Sequence, residues 1–164
     1  MGEVRVDGSE APRVQSAEEM AGRFQAELMV ALPDWQRRIV DHPAGLEQLE
    51  RDVHAVFARG ADLLIAGLLA RVMKLPDFET GAKQTRKSYR FPLRRGSQRE
   101  IRVRLLGGLM IWISSLYCAP RKKEGDPTDE NIPGLYLELA QFGFGKNCSP
   151  GLESRVARQA ITLN

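Results

Sequence analysis

The sequence predicts an α+β fold: an N-terminal helical hairpin or bundle, then a basic β-hairpin, then short C-terminal helices. Three observations predict it. Apolar residues recur at three- and four-residue intervals as far as Leu75. The period drops to two from Tyr89 onward, and Gly107-Gly108 separates two runs of alternating residues.

The first 15 residues, with Gly2, Gly8 and Pro12 among charges, show no periodicity and read as a flexible arm. Ser16 and Glu19 then have the S-x-x-E spacing of a capping box, in which the hydroxyl accepts an early amide of the helix. Met20, Phe24, Leu28 and Leu32 follow at four-residue steps, giving a first helix with one apolar stripe. Pro33 is expected to end it, because a proline pushes its predecessor out of the helical region. Asp34 can then cap a short second helix through Trp35 and Ile39.

From Pro43 to Leu75 the apolar spacing predicts one long helix, or two joined near Gly60, with Pro43 in the first turn. Gly60 and Gly67 each weaken a helix by about 1 kcal/mol relative to alanine, so a kink or a close helix contact is expected at them. The helical region thus covers residues 16–75, and Pro76 stops it.

Residues 76–118 are expected to form the β-hairpin region. Tyr89, Phe91 and Leu93 alternate with Arg90, Pro92 and Arg94, and Ile101, Val103 and Leu105 alternate with Arg102 and Arg104, so one face is apolar and the other basic. The Gly107-Gly108 pair suits a tight turn with positive φ angles. Residues 119–133 read as a polar loop, long for a compact domain. Residues 134–164 read as short helices. Gly134 to Gln141 makes one, and Ser149-Pro150 opens another that reaches Asn164 with little ending signal, as though leading into a further domain.

Charge is unevenly placed. The net charge is +3, but residues 1–82 hold nine Lys/Arg against fourteen Asp/Glu, whereas residues 83–104 hold nine against one. Lys83, Arg86, Lys87, Arg90, Arg94, Arg95, Arg99, Arg102 and Arg104, interleaved with Tyr89 and Phe91, are therefore the candidate DNA-binding residues. Arginine pairs with phosphate through two parallel hydrogen bonds, and each neutralised phosphate releases counterions. The competing reading pairs this charge with the acidic helices. Arg121-Lys122-Lys123 can follow a phosphate backbone or be a solvated loop, and Trp35, Trp112, Phe142 and Phe144 read as core aromatics before base-stacking ones.

Other chemistry has little footing. His54 has Glu50 four residues before it and no third ligand, so it reads as a surface histidine. Cys118 and Cys148 have no C-x-x-C partner or nearby histidine and read as free thiols. No Gly-rich phosphate loop, nucleophile elbow or H-E-x-x-H occurs, so no catalytic residue, metal or cofactor is expected. The apolar runs are shorter than the ~18 residues of a membrane span, and the polar, acidic N-terminus is unlike a signal peptide, so a cytoplasmic location is expected.

Three stretches carry a resemblance. They are Ile101-Arg-Val-Arg-Leu-Leu-Gly-Gly-Leu-Met-Ile-Trp-Ile with Tyr117-Cys118 at its end, Gly134-Leu-Tyr-Leu-Glu-Leu-Ala-Gln-Phe-Gly-Phe, and Cys148-Ser-Pro-Gly-Leu-Glu-Ser-Arg-Val-Ala-Arg-Gln-Ala. In order and spacing they are similar to the N-terminal region of insertion-sequence transposases of the IS-Kra type, over roughly the last half of the chain. The resemblance implies a non-catalytic DNA-binding or assembly portion, a homo-oligomer or a full-length transposase as partner, and an RNase H-like catalytic domain downstream. Where some relatives carry a C-x-x-C pair this chain reads Cys118-Ala119-Pro120-Arg121, so no zinc knuckle is expected. The alternative is a helical oligomerisation or protein-interaction module that does not bind nucleic acid.

Overall fold

A computed structural model describes residues 2–6, 14, 16–89, 92–120 and 134–144. The fold is α+β. Strand β1 (Val4–Val6) leads to helix α1 (Ala17–Asp41), a 3-10 turn (Pro43–Gly45) and helix α2 (Leu46–Val72). Helix α3 (Pro76–Ser88), strands β2 (Leu93–Arg104), β3 (Met110–Pro120) and β4 (Leu135–Tyr136), and helix α4 (Leu137–Gln141) follow. Expectations placed on Arg90, Phe91, Arg121-Lys122-Lys123, Cys148 and the helix opening at Ser149-Pro150 lie outside the described residues.

The helical hairpin forms as predicted, with two corrections inside it. Ser16 caps α1, its hydroxyl accepting from the Glu19 amide at 3.1 Å. Pro33 does not end the helix, and Asp34 is therefore an interior residue rather than a cap. The proline lies on an exposed face with Met29 one turn before it, so the carbonyl it deprives of a donor is open to water. Beyond it α1 is still held to α2: Arg38 reaches Asp52 at 2.6 Å and, with Gln48, keeps the Asp52 carboxyl below the usual range. Leu32 is exposed, because four-residue steps advance about 400° and drift off a helix face.

Helix α2 runs unbroken through both glycines, which mark close contacts. A Cβ on Gly60 would lie 2.3 Å from the Phe24 ring, and one on Gly67 would lie 2.5 Å from Ala17 Cα. Among the described residues, Pro43–Val72 is the one helical stretch long and apolar enough to cross a membrane, although no uninterrupted apolar run in the sequence is that long. Its buried side chains are spent on α1 and on the sheet: Leu63, Ala66 and Ala70 share one core with Met20, Val103, Leu105, Ile111 and Ile113.

Four sequence boundaries move. Val4–Val6 is a strand rather than part of a flexible arm, and Val4 and Val14 are buried and joined by a 2.9 Å hydrogen bond from the Val14 amide to the Val4 carbonyl. Its partner β3 lies more than a hundred residues away, out of reach of local pattern. The region beginning at residue 76 opens with a helix, not strands: Pro76 occupies its first turn, Asp77 and Glu79 complement its N-terminus, and Arg86 and Lys87 its C-terminus. Ala119 and Pro120 end β3 rather than opening the loop, and Leu135-Tyr136 pair with β3 before the short helix begins.

The sheet has β3 at its centre, with β1 and β4 along one side and β2 along the other, all pairings antiparallel. The β2–β3 hairpin turns at Gly107-Gly108 as predicted. Gly108 supplies a positive φ of 95°, while Gly107 permits close approach: a Cβ there would lie 2.3 Å from the Ala58 carbonyl oxygen. The turn is clamped to α2 by Asp62, a buried carboxylate. Gly107 N donates to its Oδ1 at 3.0 Å and Leu109 N to its Oδ2 at 2.9 Å.

Asp62→Ala would leave two amides at this turn without their acceptor. A loss of about 3 kcal/mol is expected in urea unfolding, since each buried donor left unmade costs about 1–3 kcal/mol. A loss below about 1 kcal/mol would show that the clamp is not needed.

Candidate nucleic-acid interface

Register decides which arginines share a face. Ile101 pairs with Ile113 and Val103 with Ile111, while Val4 and Val6 pair with the same two isoleucines from the other side. These side chains form the inner face, against α2. The alternate positions form the outer face. There Arg5, Trp112 and Arg102 stand in one row across β1, β3 and β2, with Arg104 opposite Met110 next along. The Arg102 guanidinium lies 6.0 Å from the centre of the Trp112 ring, at the outer limit of a cation–π contact. Glu100 is on this face and is ion-paired with Arg5.

The nine candidate residues divide into groups. Arg102 and Arg104 are exposed on the outer face. Arg99 pairs with Ser115 in register and so starts from the opposite face; it is exposed, with its guanidinium 4.3 Å from the centre of the Tyr117 ring. Arg94 and Arg95 lie beyond the irregularity between Arg95 and Gln98. Lys83, Arg86 and Lys87 stand on α3, and Lys83 binds Glu79 one turn earlier at 2.9 Å, which holds the Glu79 carboxyl below its ordinary value. A single basic strand face running from residue 83 is therefore corrected to an outer-face group, a group at the far end of β2 and a helical group.

Pairing of the basic stretch with the acidic region occurs at Glu79, which binds Lys83 and feels the charge of Arg95, while other pairs are internal to the first two helices. Arg23–Glu19, Arg38–Asp52, Arg59–Glu27 and Arg71–Glu18 all join cations and anions of α1 and α2. The β2 arginines take no part in these four pairs.

Two site residues escaped the sequence reading. Arg5 was hidden in the supposed arm, and Trp112 was assigned to the core although it is half-exposed on the outer face. Phe142 and Phe144 do pack against the core, and Phe142 stacks on Phe78 with ring centres 4.6 Å apart. His54 is exposed, and among the described residues no group of three metal-ligating side chains forms.

The far end of the sheet is organised by Glu138 on α4. Its carboxylate accepts from Ser115 Oγ and from Leu116 N, each at 2.7 Å, and its amide donates back to Ser115 Oγ at 3.2 Å. Beside it Cys118 is a buried free thiol. Burial pushes the thiol up from its ordinary value, opposed by the positive charges of Arg86 and Arg95 and assisted by Glu138.

No family model, curated protein or solved structure matches this chain.

Because only a thiolate is nucleophilic, Cys118 is expected to resist alkylation in the folded protein at pH 8 and to react at once in urea. Timed iodoacetamide labelling of a Cys148→Ser variant checks this. Labelling at equal rates with and without urea would contradict the burial.

Proposed function

We propose that this chain is a non-catalytic, DNA-contacting and assembly portion of an insertion-sequence transposase of the IS-Kra type, and that DNA docks on the outer face of its sheet. The observation that carries the DNA contact is the row Arg5, Trp112, Arg102, with Arg104 beside it, on a face of the sheet turned away from the core. The three guanidiniums are suited to phosphate oxygens, and the indole between two of them offers an aromatic surface to a sugar or base edge. The similarity of the last half of the chain to the N-terminal region of those transposases supports the assignment to that kind of protein. In this reading strand cleavage belongs to an RNase H-like domain of the full-length enzyme, and the partners are DNA and further transposase subunits.

Phosphate docking has a quantitative signature. Three neutralised phosphates give a slope of log affinity against log salt of about −3, since each contributes about −0.9. In a fluorescence-anisotropy titration with random-sequence duplex, Arg102→Ala/Arg104→Ala is expected to weaken binding uniformly across sequences and to bring the slope nearer zero by about 2, with the melting temperature unchanged. An unaltered slope, or no binding by the parent protein at low salt, would reject the interface. The second outcome favours a protein-interaction module that leaves nucleic acid alone.

Trp112 gives a second readout. In a Trp35→Phe background, saturating DNA is expected to quench or shift the remaining indole emission, because the ring sits between the docking arginines. Emission identical with and without bound DNA would place the contact elsewhere.

A further inference from the structure

Helix α2 has three faces, and the described elements occupy two. Val53, Val56, Gly60 and Gly67 lie on the side toward α1, and Asp62, Ala66 and Met73 lie toward the sheet. On the third side Phe57, Ala61, Leu64 and Leu68 follow at steps of four, three and four, the spacing of a coiled-coil seam. Phe57 is 51% exposed, Leu64 36% and Leu68 51%. At 100° per residue this stripe points nearly opposite the sheet, so a partner reaching it meets no obstruction from β1–β3.

From Ala55 to Ala70 the helix carries two charged residues, and neither belongs to the stripe: Asp62 is buried under the hairpin turn and Arg59 is paired with Glu27 of α1. Charge returns at the ends. Glu47, Glu50 and Arg51 are exposed before the stripe, with Glu50 on its line, and Arg71 and Lys74 are exposed after it.

We propose that the stripe is a homodimer seam, in which α2 packs antiparallel against α2 of a second copy about a two-fold axis level with the Gly60–Ala61 bond. That symmetry sets Phe57 against Leu64, and the small Ala61 side chain lets the helices close at the axis. It also brings Glu50 level with Arg71 of the second copy. An in-register parallel pair would instead set like charges together. One helix thus carries both halves of its own complement, the condition for an isologous two-fold interface. The present partners of these ends, Glu18 on Arg71 and Arg51 on Glu47, are exposed ion pairs that exchange readily. The exposed glutamates at one end disfavour an anionic lipid surface as the occupant. The inference deepens the assembly part of the proposed function, and its test contains no DNA, so it stands or falls apart from the docking face.

Sedimentation equilibrium of the whole chain is expected to give twice the 18.3 kDa chain mass at micromolar concentration. Leu64→Glu/Leu68→Glu should give a monomer with unchanged far-UV circular dichroism. Charge exchange tests the orientation independently of folding. Glu50→Arg or Arg71→Glu alone should raise the dimer Kd at least tenfold, and the two together should restore it. A helical monomer at 100 µM, a dimer indifferent to the Leu64/Leu68 changes, or failure of the double exchange to restore affinity would overturn the proposal. So would co-sedimentation of the parent chain with phosphatidylcholine vesicles in place of self-association.

Discussion

A single buried carboxylate couples the two halves of this fold. Asp62 projects from the middle of α2 to the turn of the β2–β3 hairpin, and both of its oxygens are occupied by backbone amides. A buried charge is costly unless hydrogen bonds replace its hydration, and here the turn amides are equally in need of an acceptor. The bonds fix where the turn sits along α2. Leu105, two residues before the glycine pair, and Leu109, immediately after it, then enter the core beside Leu63 and Ala66. Once the turn is placed, the pleat determines the rest: Val103, Ile111 and Ile113 face the helix, and Arg102, Arg104 and Trp112 face away from it.

Arginines on an outer strand have a structural use apart from the docking proposed for them. Charged side chains on an exposed edge discourage pairing with another sheet, and among the described strands both β1 and β2 are edges over the row that contains Arg5 and Arg102. Edge protection accounts for a cation on each outer strand. It does not account for a half-exposed tryptophan between them on the central strand, where a polar residue would serve. The indole is the feature on which the proposed docking surface rests beyond edge protection, and Glu100 tempers that surface by pairing with Arg5.

Much of the fold was legible because its signals are local. The Ser16 cap, the helical hairpin and the Gly107-Gly108 turn are each decided within a few residues, and all formed as read. The misread positions depend on distant partners or compete with a tertiary contact. Pro33 breaks helices on average, but the Arg38–Asp52 tie holds α1 beyond it. Val4–Val6 is too short to show a period, and only pairing with β3 makes it a strand. The site suffered similarly. Counting cations along the chain grouped Arg99 with Arg102, yet an odd separation in a strand puts them on opposite faces, and Lys83, Arg86 and Lys87 ride on a helix. Arg5 and Trp112 join Arg102 through strand order, which no local pattern encodes.

Helix α2 also shows why apolar surface remains outside the core. Leu49, Val53, Val56, Gly60, Leu63, Gly67 and Ala70 repeat at alternating steps of four and three, and the exposed stripe is the same repeat displaced by one residue. A displacement of one residue is a rotation of about 100°, so one helix of antiparallel partners cannot cover both seams. The glycines sharpen this division. With no side chain at Gly60 and Gly67, Phe24 and the start of α1 sit directly on the first seam, and an α1 held that close cannot spread over Leu64 and Leu68. The close contact that stabilises the hairpin therefore leaves the second seam uncovered by α1, and burial of those leucines requires a surface from outside the hairpin, the role proposed for a second copy of α2.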